Sequence, residues 1–249
     1  GISAVTVGSS KEMMKPMEEE LSIYNERIKK IFGWHVNISS LVKQMPAIPL
    51  DYEPSHRGLT LIRISLFLIN CIESALQAMK AFKRNWEDNN LVMISLPIRL
   101  SFEIWGASHY SLKLAMKIIE ENNIEWVLEK TEQLTIGARS NIELPWGGTI
   151  KIKSIHIHDF IRSLEDVLPS SMNTYDFLCE SCHPSFLSFS SWLLIGSKMN
   201  NYQNQKFREK MHKQIDKTLL VLEESLNGIK NDVSSFTKIA LPYLKKKRK

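Results

Sequence analysis

From Tyr175 to Pro184 the chain reads Tyr-Asp-Phe-Leu-Cys-Glu-Ser-Cys-His-Pro, so two thiols, two carboxylates, a phenol and an imidazole fall within ten residues. Cys179-Glu-Ser-Cys182-His183 has the spacing of c-type haem attachment, in which both thiols form thioethers and the His is an axial ligand. Pro184 directly after the His, no visible export signal and no obvious second axial ligand argue against that reading. The same thiols could form a redox pair, because Cys-x-x-Cys can lower a thiol pKa. The strand-before, helix-after context of thioredoxin-type pairs is absent. Together with His156 and His158 the thiols could hold zinc. A two-residue spacing at the start of a helix, however, sends two imidazoles to different faces. The plainest reading makes Cys179 and Cys182 small hydrophobes on the buried side of a helix. No metal or other cofactor is expected.

A second pair with chemical potential is Arg99 and Glu103, four residues apart in a segment rich in Leu, Ile and Trp. Gly106, Ala107 and Tyr110 share their helical face. Buried charges are costly unless paired. The pair is therefore either a structural ion pair at a helix interface or the floor of a polar pocket in a bundle core.

Charge and composition narrow the classes. The formal net charge is +5, but Lys245 to Lys249 are all basic. Removing those five from the 32 basic residues leaves 27, equal to the 27 acidic ones. The body is thus neutral, which argues against a broad nucleic-acid surface. The tail reads as a solvated segment, or as a salt-sensitive, sequence-blind contact to nucleic acid. Three cysteines, an odd count, do not make a disulfide framework and suggest a reducing, cytoplasmic setting. Gly1 to Ser10 has no basic n-region and no apolar core, so no secretory signal is expected there. The most apolar run, Ile64 to Ile72, falls well short of the ~20 residues of a membrane span. No membrane partner is expected.

These groups must be positioned by helices. Residues 1–11 look disordered, 12–244 read as a single helical domain, and 245–249 form the basic tail. From about Pro16, Met17, Leu21, Tyr24, Ile28 and Ile31 recur at helical spacing, with Gly33 a point of interruption before Val36 to Met45. Pro46, Pro49 and Pro54 mark an irregular connection. A helix over about 55–85 places Leu59, Ile62, Leu66, Ile69, Ile72, Leu76, Met79 and Phe82 on its main stripe, widened by Leu61, Phe67, Leu68 and Ala75. A third runs over about 91–122, with Phe102, Trp105, Leu112, Ala115 and Ile119 as core and Pro97 as a kink or first turn. A short helix over about 124–134 leads into a Gly- and Pro-containing stretch, 135–154, read as an irregular loop or small hairpin. Helical period returns over 157–168 and again over about 174–182, and residues 185–197 look like one more buried turn or helix. The last helix, about 204–241, has a seam of Phe207, Met211, Ile215, Leu219, Leu222, Leu226, Ile229, Val233 and Phe236. The fold class is all-α: a bundle of about four long helices plus shorter ones.

The order of features over about residues 55–195 resembles a group of uncharacterised bacterial helical proteins. In them a helix bearing an Arg and a Glu is followed by a Gly-rich loop, a short helix and Tyr-x-x-Leu-(Ser/Cys)-Glu-x-x-His-Pro. Here those are Arg99 and Glu103, then Gly137 to Arg139, then Tyr175, Leu178, Cys179, Glu180, His183 and Pro184. Such proteins are similar to the wider HEPN superfamily of helical domains, found in toxins, phage defence and RNA cleavage. The resemblance implies a metal-independent endoribonuclease. His183 would act as acid–base and Arg99 on the phosphate, with Glu103, Tyr175 and Glu180 as orienting groups. The HEPN hallmark is an Arg, four to six residues, and then a His on one helix. Here nine residues separate Arg99 from His109, and three separate Arg208 from His212. A site must then be assembled from two helices. The other reading is a non-catalytic interaction protein, forming a homo-oligomer or binding a protein partner through its long C-terminal helix.

Overall fold

The computed structural model describes residues 21–45, 56–88, 90–120, 124–135, 142–143, 147–150, 152–182 and 201–244. The chain is an all-α bundle. Four long helices carry it: α1 (Asn25–Gln44, entered by a 3-10 turn over Ser22–Tyr24), α2 (His56–Glu87), α3 (Leu91–Glu120) and, last in the chain, a 44-residue helix, Asn201–Leu244. Between α3 and that helix come α4 (Ile124–Thr135), β1 (Ile142–Glu143), β2 (Thr149–Ile150), α5 (Ile157–Arg162) and α6 (Ser171–Cys182), so the final helix is α7. The helix α3 is the hub. It packs against α2, α7, α4, α5 and α6, while α1 closes the bundle over α2 and α7.

The seam expected on α7 is the deepest part of the core. Met211, Ile215, Leu219, Leu222, Leu226, Ile229, Val233 and Phe236 are all buried. Phe207 lies outside the described side chains. A strict three–four spacing fixes which face of a helix points inward. On α2 the apolar residues go nearly all the way round. Ile72, Leu76, Met79 and Phe82 are buried as expected, but in the first half of the helix the stripe is rotated: Leu61, Ile64 and Leu68 are buried, whereas Leu66 is 52% exposed and Leu59 also faces out. By length and composition α2 could cross a membrane. Half of its most apolar window is buried against the rest of the chain, as in the core helix of a bundle.

Several boundaries differ from expectation for local reasons. Gly33 does not interrupt α1, because it faces open space and asks nothing of its neighbours. Pro97 lies inside α3, six residues after its start. The period over 157–168 is not one α-helix: α5 ends at Arg162 and gives way to turns. Those turns hold i→i+3 bonds from Leu164, Glu165 and Val167 to Ile161, Arg162 and Leu164. Such turns keep nearly the same apolar spacing, which is why Leu164 is still buried. The helix α6 begins at Ser171, three residues early. Glu165 supplies its cap: one carboxylate oxygen accepts from Ser171 Oγ at 2.8 Å and from the Met172 N–H at 3.3 Å, the other from the Ser170 N–H. In 135–154, β1 and β2 form a two-residue antiparallel ladder. Gly147 and Gly148, both near φ +90°, make the turn that side chains disfavour.

Polar ties hold α1 to α7. Tyr24 Oη sits 2.8 Å from His212 Nδ1, and Arg27 bridges Asp216 and Glu223. One contact demands a missing side chain. Gly228 of α7 lies so close to the Trp105 indole of α3 that a Cβ there would overlap the ring. The expected disorder of 1–11, the Pro46–Pro54 connection, the segment 185–197 and the tail 245–249 fall outside the described residues.

Candidate functional site

Arg99 and Glu103, one turn apart on α3, form the ion pair their spacing implies, with Arg99 Nε donating to Glu103 Oε1 at 2.9 Å. The helix α6 lies across this face and brings Tyr175, 76 residues on, into the pair. Its hydroxyl donates to Glu103 Oε1 at 3.0 Å and accepts from Arg99 NH2 at 3.1 Å. The phenol serves both partners at once, giving its one proton to Glu103 and accepting another from the guanidinium. The guanidinium also lies over the Tyr175 ring, 5.4 Å from its centroid. Tyr175 is buried, while the Arg99 and Glu103 side chains remain 31% and 22% exposed.

The electrostatics follow from this packing. Burial works against the Arg99 charge, but the Glu103 hydrogen bond and charge outweigh it, so the guanidinium is held above its usual range. Burial, then the Glu103 carboxylate, push the Tyr175 phenol up to about 12. Tyr175 therefore remains a neutral donor at physiological pH. Cys179 and Cys182 sit four and seven residues beyond Tyr175, on the same face of α6. Burial raises the Cys182 thiol despite the opposing Arg99 charge. The two cysteines are half-buried beside the guanidinium rather than deep in an apolar core. Glu180, assigned with them as an orienting group, lies at an exposed position off that face. His183 and Pro184 lie outside the described residues, as do Gly137 to Arg139.

The two imidazoles at the start of α5 are not sent apart. His156 is the N-cap of α5, with extended backbone (φ −74°, ψ 143°), and its Nδ1 accepts from the His158 N–H at 3.2 Å. Helical angular spacing does not apply across a cap, and the rings pack edge to face at 4.7 Å. His158 then meets the Tyr175 ring at 5.9 Å, also edge to face. Sequence reasoning weighed His158 only as a metal ligand. Among the described residues no group of three or more His, Cys, Asp or Glu side chains is placed to hold a metal ion.

A second polar cluster went unseen in the sequence. His109 of α3 is buried, with Nδ1 2.9 Å from Asp232 Oδ1 of α7 and Nε2 3.2 Å from Asp166 Oδ1 in the turn after α5. Ser108 Oγ donates to the other Asp232 oxygen, and Lys113 reaches both Asp166 and the Ser163 carbonyl. Burial opposes a charge on His109, but Asp232 and then Asp166 overcome it and raise its pKa. Burial likewise opposes the Asp166 charge, yet Lys113 and His109 hold that carboxyl below its ordinary range. Nothing in the sequence pairs residues 123 apart, and each partner reads locally as a surface group. The cluster ties three elements together: α3, the turn after α5, and α7.

Two clefts, of about 290 and 320 Å³, open between α2 and α4 around Arg63 and Phe67 and between α1 and α2 around Phe32 and Lys83. Neither is lined by Arg99, Glu103 or Tyr175.

No family model matches this chain, and no curated protein or solved structure proved similar to it.

Proposed function

We propose that this chain is an HEPN-like helical domain that acts on RNA at the Arg99 face, as a metal-independent endoribonuclease of the kind found in toxin and phage-defence systems. The supporting observation is the meeting of Arg99, Glu103 and Tyr175 from two distant helices on a partly open surface. Glu103 and Tyr175 each fix one arm of the guanidinium, so its remaining N–H groups are held in place before a ligand arrives. Preorganised donors of this kind stabilise charge developing on a phosphate without reorganising. In the proposed reaction the RNA 2′-hydroxyl attacks the adjacent phosphorus and the 5′-oxygen departs. Arg99 takes the growing negative charge, and the motif residue His183 serves as acid–base. Free Cys71, Cys179 and Cys182 fit a reducing, cytoplasmic setting. The test is cleavage of a defined RNA in the presence of a chelator by wild type and His183→Ala. Loss in the variant supports the reading, and equal activity, or none in either, removes it.

The alternative is a non-catalytic interaction or oligomerisation protein. The apolar seam of α7 is packed within the chain, so a partner of that helix would meet its outer side, where Leu220 is exposed. A stripe of Met93, Leu96 and Leu100 on α3, spaced three and four apart and each about two-fifths exposed, favours such a surface. Light scattering across a concentration series tests it, and a strictly monomeric profile counts against it.

A further inference from the structure

We infer that His158 and Arg99, both packed on the Tyr175 ring, together form a binding site for a phosphoryl group, with the phosphodiester of an RNA strand as the ligand class. This deepens the RNA reading of the Arg99 face and rests on it. Both groups pack on the same phenol ring, the guanidinium carbon at 5.4 Å and the imidazole at 5.9 Å from its centroid. They therefore lie no more than about 11 Å apart, a gap that one phosphate with a hydrogen bond of about 2.8 Å at each end can fill.

The fold also positions the imidazole. Gly106 of α3 lets the α5 backbone approach until a Cβ would stand 2.9 Å from the Phe160 carbonyl oxygen. Ser163 Oγ donates to the Phe160 carbonyl at 2.6 Å and lies 3.2 Å from the Gly106 carbonyl, and Tyr110 packs edge to face on Phe160 at 5.4 Å. These contacts clamp α5 to the helix that carries Arg99, and so set where His158 can sit. The His156 ring packs edge to face on it at 4.7 Å, and because its Nδ1 accepts from the His158 N–H, its own proton is confined to Nε2. His158 is only half-buried, so a strand lying on this face can reach it. The Glu103 charge is matched by the guanidinium that donates to it, which lowers the repulsion a phosphate would otherwise meet.

The test uses the full chain with uridine 3′-monophosphate as probe, read by NMR of the histidine ring resonances. The His158 ring signal moves and saturates in wild type and stays still in Arg99→Ala. In parallel, His158→Gln weakens binding of a single-stranded RNA oligonucleotide at least about fivefold at low salt, and the deficit shrinks as salt rises. A His158 signal that ignores the nucleotide, or that moves equally in Arg99→Ala, overturns the inference. A cleavage assay on the same samples separates the two levels. A responding ring without RNA cleavage supports this site and removes the endoribonuclease reading. Cleavage with a silent ring overturns the site and leaves that reading standing.

Discussion

Asp232→Asn tests the buried polar cluster most sharply, because its effect depends on pH with a defined sign. The Asp232 and His109 side chains are each 8% exposed, and Asp232 accepts from His109 Nδ1 and from Ser108 Oγ. Breaking a buried charge pair from one side costs about 3–5 kcal/mol, though an imidazole can respond by losing its proton, so about 3 kcal/mol is expected. At ~2–4 °C per kcal/mol for a chain of this size, that corresponds to a fall in Tm of about 6–12 °C. The His109 pKa is raised in the folded state. Its contribution is therefore fully present below the unfolded value of about 6.5 and is lost as pH rises through the folded value. Asp232→Asn removes the largest raising influence, so the gap between wild type and variant is widest near pH 6 and narrows in alkali. Denaturant unfolding at a series of pH values measures this directly. A gap that stays flat with pH, or one under about 1 kcal/mol throughout, would refute a charged His109 held by Asp232.

Other expectations follow from single contacts. Gly228→Ala puts a Cβ into the Trp105 indole and should lose about 2 kcal/mol in chemical denaturation, despite the gain of up to about 1 that Ala has over Gly in a helix. Adding Trp105→Phe should recover part of that loss, and no recovery would mean the two residues do not meet. Glu165→Ala removes the acceptor for the Ser170 and Met172 amides, so hydrogen exchange at the start of α6 should accelerate while the centre of α7 is unchanged. Burial pushes the Cys71 thiol up to about 12. Mass-mapped alkylation of the native chain should therefore modify the half-buried Cys179 and Cys182 well before Cys71, and early labelling of Cys71 would contradict the burial of α2.

The sequence made legible whatever strict periodicity or short spacing encodes. The α7 seam was readable because its apolar residues leave one phase open to the helix, and the Arg99–Glu103 pair because four residues make one turn. The first half of the stripe on α2 was rotated because that helix is apolar on most sides, so period alone cannot choose a face. The stretch 157–168 read as a helix because i→i+3 turns keep nearly the same spacing. Tyr175 entered through motif resemblance, and the structure supplied the reason in its hydrogen bonds to both Arg99 and Glu103. His158 was misjudged because helical geometry was applied across an N-cap whose backbone is extended. The His109–Asp232 tie and the Gly228–Trp105 contact join segments more than a hundred residues apart, and no local pattern announces either.

The central claim is that the Arg99 guanidinium, fixed by Glu103 and Tyr175, acts on RNA. Its most direct test is the single-turnover cleavage of a labelled RNA in chelator by wild type and Arg99→Lys, a change that keeps the charge and removes the planar fork. The account predicts 2′,3′-cyclic phosphate ends from wild type and a rate at least about 100-fold lower in the variant. Wild type that cleaves no faster than buffer, or a variant as fast as wild type, would contradict it.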